Sequence, residues 1–188
     1  MNSYQYVKGE IETDINGYLL KFLVLFLIPL ILIGVLLLFV IIPRIDPFKT
    51  NIEKFKKHYD RFIILFFIFI FAIYFHIVLW NNETWIRFNI ILSIVFGILF
   101  YYIGILCENT KKTWVVAIRT PWTLKKEKVW EKTNKTGGKL FRVAGVVALV
   151  GVFFQTQALF FIFVPLFLVA VYIVLYSYFE YRKELSHE

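Results

Sequence analysis

Long stretches of this chain lack ionisable side chains, and this feature decides what the chain can fold into. Residues 22–42 contain none, and residues 143–179 form a charge-free run of about 37 residues. A hydrocarbon core about 30 Å thick needs roughly 20 apolar residues in a helix that rises 1.5 Å per residue. The longer run therefore has to turn back on itself, and the polar cluster Gln155-Thr156-Gln157 is the expected turn.

The apolar runs predict an all-α polytopic membrane protein. Five transmembrane helices are expected, at residues 19–42, 62–80, 87–107, 138–154 and 158–178. A single membrane domain would cover residues 18–180, between a polar tail of residues 1–17 and a short tail of residues 181–188. A composition that is 60% hydrophobic is too apolar for an ordinary soluble domain. The first run is longer than the apolar core of a signal peptide and lacks a small-residue cleavage site, so it is interpreted as a true span.

Lysine and arginine are distributed unevenly between the loops, which predicts an orientation. Residues 43–61 and 108–137 hold most of them, whereas residues 80–87 hold only Arg87. Because loops rich in Lys and Arg stay in the cytoplasm, both basic loops are expected inside. Five spans then place the N-terminus outside and the C-terminal tail in the cytoplasm.

The longer basic loop predicts an amphipathic helix. Pro121 disfavours helical geometry at Thr120, so a helix is expected at about residues 124–135, capped by Thr123 and broken at Gly137-Gly138.

One face of this helix would carry Trp122, Val129 and Thr133, and lysines would flank it. This pattern favours contact with the anionic lipids of the inner leaflet. Docking of a cytoplasmic protein on the same helix stays open as an alternative. A nucleic-acid groove has a similar charge signature, but direct nucleic-acid binding is not expected of a loop tethered to the membrane.

Catalytic and metal-binding patterns are missing from the sequence. No hydrolase, nucleotide-binding or zinc motif is present, and Cys107 is the single cysteine. The prediction is a protein that is not an enzyme and has no cofactor or metal. A small transporter or channel is the alternative, with Asn89, Ser93 and His76 as the candidates to line a polar route. Gly97 and Gly104, seven residues apart, instead predict close helix packing.

An ordered string of residues in the longer basic loop resembles a known family. It consists of Asn109, Ile118 to Leu124 (Ile-Arg-Thr-Pro-Trp-Thr-Leu), Val129-Trp130, Thr133-Asn134 and Gly137-Gly138. The string is similar to that of the SdpI family, multi-pass membrane proteins named for an immunity protein against a secreted peptide toxin. The segment Pro43-Arg44-Ile45-Asp46-Pro47 is also similar, so the resemblance covers about residues 18–180.

The chain departs from the family pattern in two places. Family members often have Gly where this chain has Ala117. Longer members carry an extra N-terminal span followed by a Pro-x-His-x-Asn motif, which has no counterpart in residues 1–17. The chain is therefore expected to be a short member of the family.

The resemblance implies protection of the cell against a membrane-active peptide. In some members it also implies capture of a transcriptional repressor at the membrane. The expected partners are thus anionic lipids, a peptide toxin and a cytoplasmic repressor.

Arg119 would be the charged anchor, Trp122 and Trp130 the aromatic anchors, and Asn109 and Asn134 the residues that fix the loop. The site residues implied by the resemblance are Asn109, Arg119, Thr120, Pro121, Trp122, Thr123, Leu124, Trp130, Thr133 and Asn134. The alternative is that these residues only fold the loop and seat it on the membrane.

Overall fold

A computed structural model describes residues 22, 26–79, 88–114, 116–154 and 156–186, and the regular secondary structure in this part of the chain is helical. Five of its helices are long and apolar enough to cross a membrane, which confirms the predicted all-α architecture with five spans. The helices are α1 (Ile28–Ile45), α2 (Lys49–Leu79), α3 (Phe88–Asn109), α4 (Pro121–Lys125), α5 (Glu127–Val150) and α6 (Ala158–Leu185), with a 3₁₀ turn at Gly151–Phe153.

The chain forms two compact units, residues 1–39 and 40–188. The first unit contains most of α1, whose exposed side chains include Leu30, Ile31 and Leu37. In the second unit, α3 packs against α2, α5 and α6, and α5 packs against α6. Its core includes Phe100 on α3, Ala148 on α5 and Ile162 on α6.

Glycines let α3 and α5 approach each other closely. A Cβ atom built on Gly97 would lie 3.0 Å from the carbonyl oxygen of Gly145, and one built on Gly145 would lie 2.7 Å from the carbonyl oxygen of Gly97. Seven residues further along α3, Gly104 meets Gly138 in the same way. The close packing predicted for Gly97 and Gly104 is confirmed.

The Gly137-Gly138 pair does not break a helix, so that prediction was wrong. Helix α5 runs through both glycines without interruption. Both are buried, and their missing side chains make room for Ile118 and for α3. The predicted amphipathic helix is consequently the first half of a membrane-spanning helix and not a separate element of the loop.

The first basic segment also differs from the expected loop at residues 43–61. Helix α2 begins at Lys49 and has a non-helical residue at Phe55, where φ is −120° and ψ is 16°. Ile52, Phe55 and Tyr59 are buried while the lysines between them are exposed. This amphipathic spacing explains why the segment folds as a helix whose apolar side chains face the interior of the second unit.

The predicted turn between the last two spans lies where expected. Thr156 and Gln157 form a turn directly before α6. Gln155 lies outside the described residues, as do the tail of residues 1–17 and the loop of residues 80–87.

Candidate interaction site at the basic end

Residues 44–61, 108–137 and 176–186 lie together in the second unit, and we call this region the basic end. Salt bridges join α5 to α6 here, and hydrogen bonds join the two basic segments. All ten site residues implied by the sequence lie in it.

Thr120 and Thr123 start the short helix α4 by capping each other. The Thr120 side chain accepts a hydrogen bond from the backbone N–H of Thr123 (3.2 Å), and the Thr123 side chain accepts one from the N–H of Thr120 (2.9 Å). Pro121 occupies the first helical position, where a missing N–H costs nothing. The N-cap is thus Thr120, and the prediction of Thr123 as N-cap was wrong. Thr123 occupies the third helical position and completes a reciprocal capping box with Thr120.

Asn134 ties α5 to the segment that precedes α4. Its Oδ1 accepts a hydrogen bond from the N–H of Ile118 (2.9 Å), and its Nδ2 donates to the carbonyl of Ile118 (3.3 Å). Ile118 in turn packs against a core cluster that includes Ala144 and Ile173. The loop is therefore anchored to the transmembrane core through one amide and one aliphatic side chain.

The aromatic face of α5 is turned into the protein. Val129, Trp130 and Thr133 are each 0% exposed. Trp130 is therefore not accessible to a partner in this structure. The expectation that this face lies on the inner leaflet was wrong for Val129, Trp130 and Thr133, because all three side chains are buried within the protein.

Two of the flanking lysines form ion pairs with glutamates in the last turns of α6. Lys128 forms an ion pair with Glu184 (2.8 Å), and Lys132 forms one with Glu180. Trp122 packs edge to face against Tyr178, with 5.3 Å between the ring centroids. Helix α6 thus belongs to the site, although none of the ten implied site residues lies on it.

The remaining implied residues are more accessible. Arg119, Pro121 and Asn109 are exposed, and Trp122 and Leu124 are half-buried. Asn109 donates through Nδ2 to the carbonyl of Ile105 (2.8 Å) within its own helix. Only these five could meet a partner directly, while Thr120, Thr123, Trp130, Thr133 and Asn134 are buried.

Two residues that sequence reasoning did not place in the site hold the basic segments together. Asp46 is 3% exposed, and its carboxylate accepts hydrogen bonds from the N–H of Phe48 (2.7 Å) and the N–H of Trp114 (3.0 Å). Asn51 donates through Nδ2 to the carbonyl of Lys112 (2.9 Å). The available signal was Asp46 itself, since an aspartate side chain favours a turn by accepting a hydrogen bond from the backbone two residues further on.

The residues considered for a polar route lie on α2 and α3, away from this site. His76 is buried and stacks on the ring of Phe88, with 5.2 Å between centroids. Ser93 is fully buried beside Gly151. Among the described residues, no group of three or more His, Cys, Asp or Glu side chains is placed to hold a metal ion.

The fold and the site define a multi-pass helical membrane protein whose second unit carries a compact basic end. Residues 109–177 match the model of the SdpI/YfhL protein family. The chain is also 25% identical to "Immunity protein SdpI" of Bacillus subtilis (strain 168), over 97% of this chain and 88% of that protein. No solved structure matches the chain. The chain is thus similar to the SdpI/YfhL family over residues 109–177, and it is a multi-pass protein of the cell membrane.

Proposed function

We propose that this protein is a membrane immunity protein that protects the cell against a secreted antimicrobial peptide. The alignment over 97% of the chain with a protein named for immunity carries this proposal. The family match over residues 109–177 supports it, because these residues include all ten of the implied site. The protein acts by binding and not by catalysis.

The basic end also takes part in signalling by docking a cytoplasmic transcriptional repressor. The geometry supports a small contact surface with two accessible side chains at its centre. Arg119 and Trp122 are the accessible cationic and aromatic side chains, and the buried threonines and Asn134 hold them in place. Arginine and tryptophan are the residue types that carry most binding energy at protein interfaces.

Survival of a sensitive bacterial host tests the immunity function. The host expresses the chain and is challenged with the secreted peptide toxin that is countered by the immunity protein for which the family is named. We expect survival at least tenfold higher than in the host with empty vector. If the intact chain, present in the membrane at normal abundance, gives no protection, the immunity proposal is wrong.

Variants of accessible residues test the proposed contact surface at matched membrane abundance. Arg119→Ala and Trp122→Ala are compared with Lys183→Ala, which removes an exposed cation from α6. A fluorescent repressor should collect at the membrane in toxin-treated cells with the intact chain and with Lys183→Ala, and should stay diffuse with the two site variants. Equal recruitment by all four proteins would contradict the docking role.

A further inference from the structure

Trp114 lies at the level where two membrane spans end. Its backbone N–H donates to Asp46 (3.0 Å), and Asp46 directly follows the last residue of α1. Along the chain, Trp114 comes only five residues after Asn109, the last residue of α3. Its side chain is 54% exposed. An exposed tryptophan at this level is typical of the zone where lipid headgroups meet the hydrocarbon.

Arg119 is held beside this tryptophan. One guanidinium nitrogen of Arg119 donates to the carbonyl of Trp114, and Arg119 is exposed. A guanidinium carries five N–H donors in a planar fork that matches the oxygens of a phosphate. The donors not used by Trp114 are therefore available at the depth where phosphates of lipid headgroups lie.

The surrounding charges leave this arginine as an accessible cation. The carboxylate of Asp46 is buried, and its oxygens accept backbone N–H groups. Lys128 and Lys132, by contrast, form ion pairs with glutamates of α6. Arg119 is thus exposed and available to bind an anion, whereas Lys128 and Lys132 are engaged by carboxylates.

We propose that Trp114 and Arg119 form a binding site for the headgroup phosphate of an anionic phospholipid, with the Trp114 ring seated among the headgroups. The position of Trp114 at the span ends favours a lipid as the ligand, because lipid headgroups lie at that level. The inference goes beyond the immunity function and does not depend on it.

Native mass spectrometry of the purified full-length chain tests the site. The chain is released from micelles that contain equal amounts of phosphatidylglycerol and phosphatidylcholine. We expect preferential retention of phosphatidylglycerol. Arg119→Ala and Arg119→Gln should raise the dissociation constant of the tightest phosphatidylglycerol at least tenfold, and Arg119→Lys should raise it less. Trp114→Ala should also weaken retention, whereas the matched cation control Lys183→Ala should change it less than twofold.

Three results would overturn the proposal. The first is equal retention of the two lipids by the intact chain. The second is an equal effect of Arg119→Gln and Lys183→Ala on lipid retention, in proteins whose thermal unfolding is unchanged. If Arg119→Gln then also loses repressor recruitment, Arg119 serves protein docking alone. The third is displacement of the lipid by soluble glycerophosphoglycerol at the same concentration, which would mean that a free phosphate ester is the ligand.

Discussion

Gly104 and Gly138 touch backbone to backbone where α3 crosses α5. A Cβ atom on Gly104 would lie 2.4 Å from the carbonyl oxygen of Gly138, and one on Gly138 would lie 2.6 Å from the carbonyl oxygen of Gly104. Neither carbonyl can move without moving its helix. The contact lies only a few residues from Asn134, so the spacing of these two helices also sets the position of the basic end.

Replacing Gly104 with alanine should destabilise the protein because the added methyl group has no space. Overpacking of this kind costs about 1–3 kcal/mol in unfolding free energy. Gly34→Ala is the matched control, since nothing lies within 4 Å of a Cβ built at Gly34. Denaturant titration in detergent micelles should show a loss for Gly104→Ala and no loss for Gly34→Ala. Equal stability of the two variants would show that α3 and α5 are not in close contact.

Removing the Asn134 amide should loosen the loop from α5. Asn134→Ala removes the acceptor of the Ile118 N–H and leaves the Ile118 carbonyl with only the long hydrogen bond from the Thr123 hydroxyl (3.5 Å). We expect a loss of about 2–3 kcal/mol in unfolding free energy, from two hydrogen bonds in a largely buried setting. The neighbouring exposed residue gives the control Lys135→Ala, which should stay within about 0.5 kcal/mol of the original protein. If both variants unfold at the same denaturant concentration, the amide does not anchor the loop.

Removing the Asp46 carboxylate should separate the two basic segments. Asp46→Ala deprives the N–H groups of Phe48 and Trp114 of a charged acceptor, which we expect to cost about 2–3 kcal/mol. The loop should also open more often, so trypsin should cleave after Arg119 at least fivefold faster under native conditions. Asp60→Ala, which removes an exposed carboxylate from α2, is the control and should leave the cleavage rate unchanged. Unchanged cleavage in Asp46→Ala would contradict the proposed role.

The sequence predicts the number of spans, because each span depends on local composition, and five helices are long and apolar enough to cross a membrane. It also predicts the close approach at Gly97 and Gly104, since small residues at helical spacing have few other uses in a membrane. The hydrogen bond from Trp114 to Asp46 joins residues 68 positions apart, and no local pattern contains that information.

The amphipathic face of α5 shows a second limit of prediction from the sequence. Its apolar pattern is satisfied equally by a lipid surface or by a protein surface, so periodicity could not decide between them. The structure decides for protein, with Trp130 fully buried and Lys132 paired with Glu180.

Ala117 lies at a backbone position that favours glycine. Its φ angle is +80°, the single positive value at a non-glycine residue in the described part of the chain. A left-handed conformation costs an L-residue about 1–2 kcal/mol, and glycine avoids this cost. Glycine also gives the unfolded chain more conformational freedom, which offsets part of the gain in stability. Ala117→Gly should therefore raise the unfolding free energy by about 0.5–1 kcal/mol.

Ala148→Gly provides the contrasting control for this substitution. Ala148 is fully buried within α5, so glycine there should lower the unfolding free energy by about 1 kcal/mol or more. Thermal unfolding of both variants in one detergent measures the two shifts. A lower melting temperature for Ala117→Gly would mean that the loop does not hold residue 117 in the left-handed region.

The ion pair between Glu108 and Arg142 should contribute more to stability than an exposed pair in the same region. Its oxygen and nitrogen lie 2.9 Å apart, and the side chains are 20% and 37% exposed. Lys111 and Glu131 lie 3.0 Å apart, but both side chains are more than half exposed.

Double-mutant cycles with glutamine replacements separate the two coupling energies. We expect about 1–2 kcal/mol for Glu108 with Arg142, because burial reduces screening by water, and less than about 1 kcal/mol for Lys111 with Glu131. Raising the salt concentration to about 0.5 M should remove most of the coupling between Lys111 and Glu131 and little of that between Glu108 and Arg142. The reason is that screening acts mainly on exposed charges. Equal couplings with equal salt dependence would show that Glu108 and Arg142 are solvated, and would argue against a tight crossing of α3 and α5 at this end.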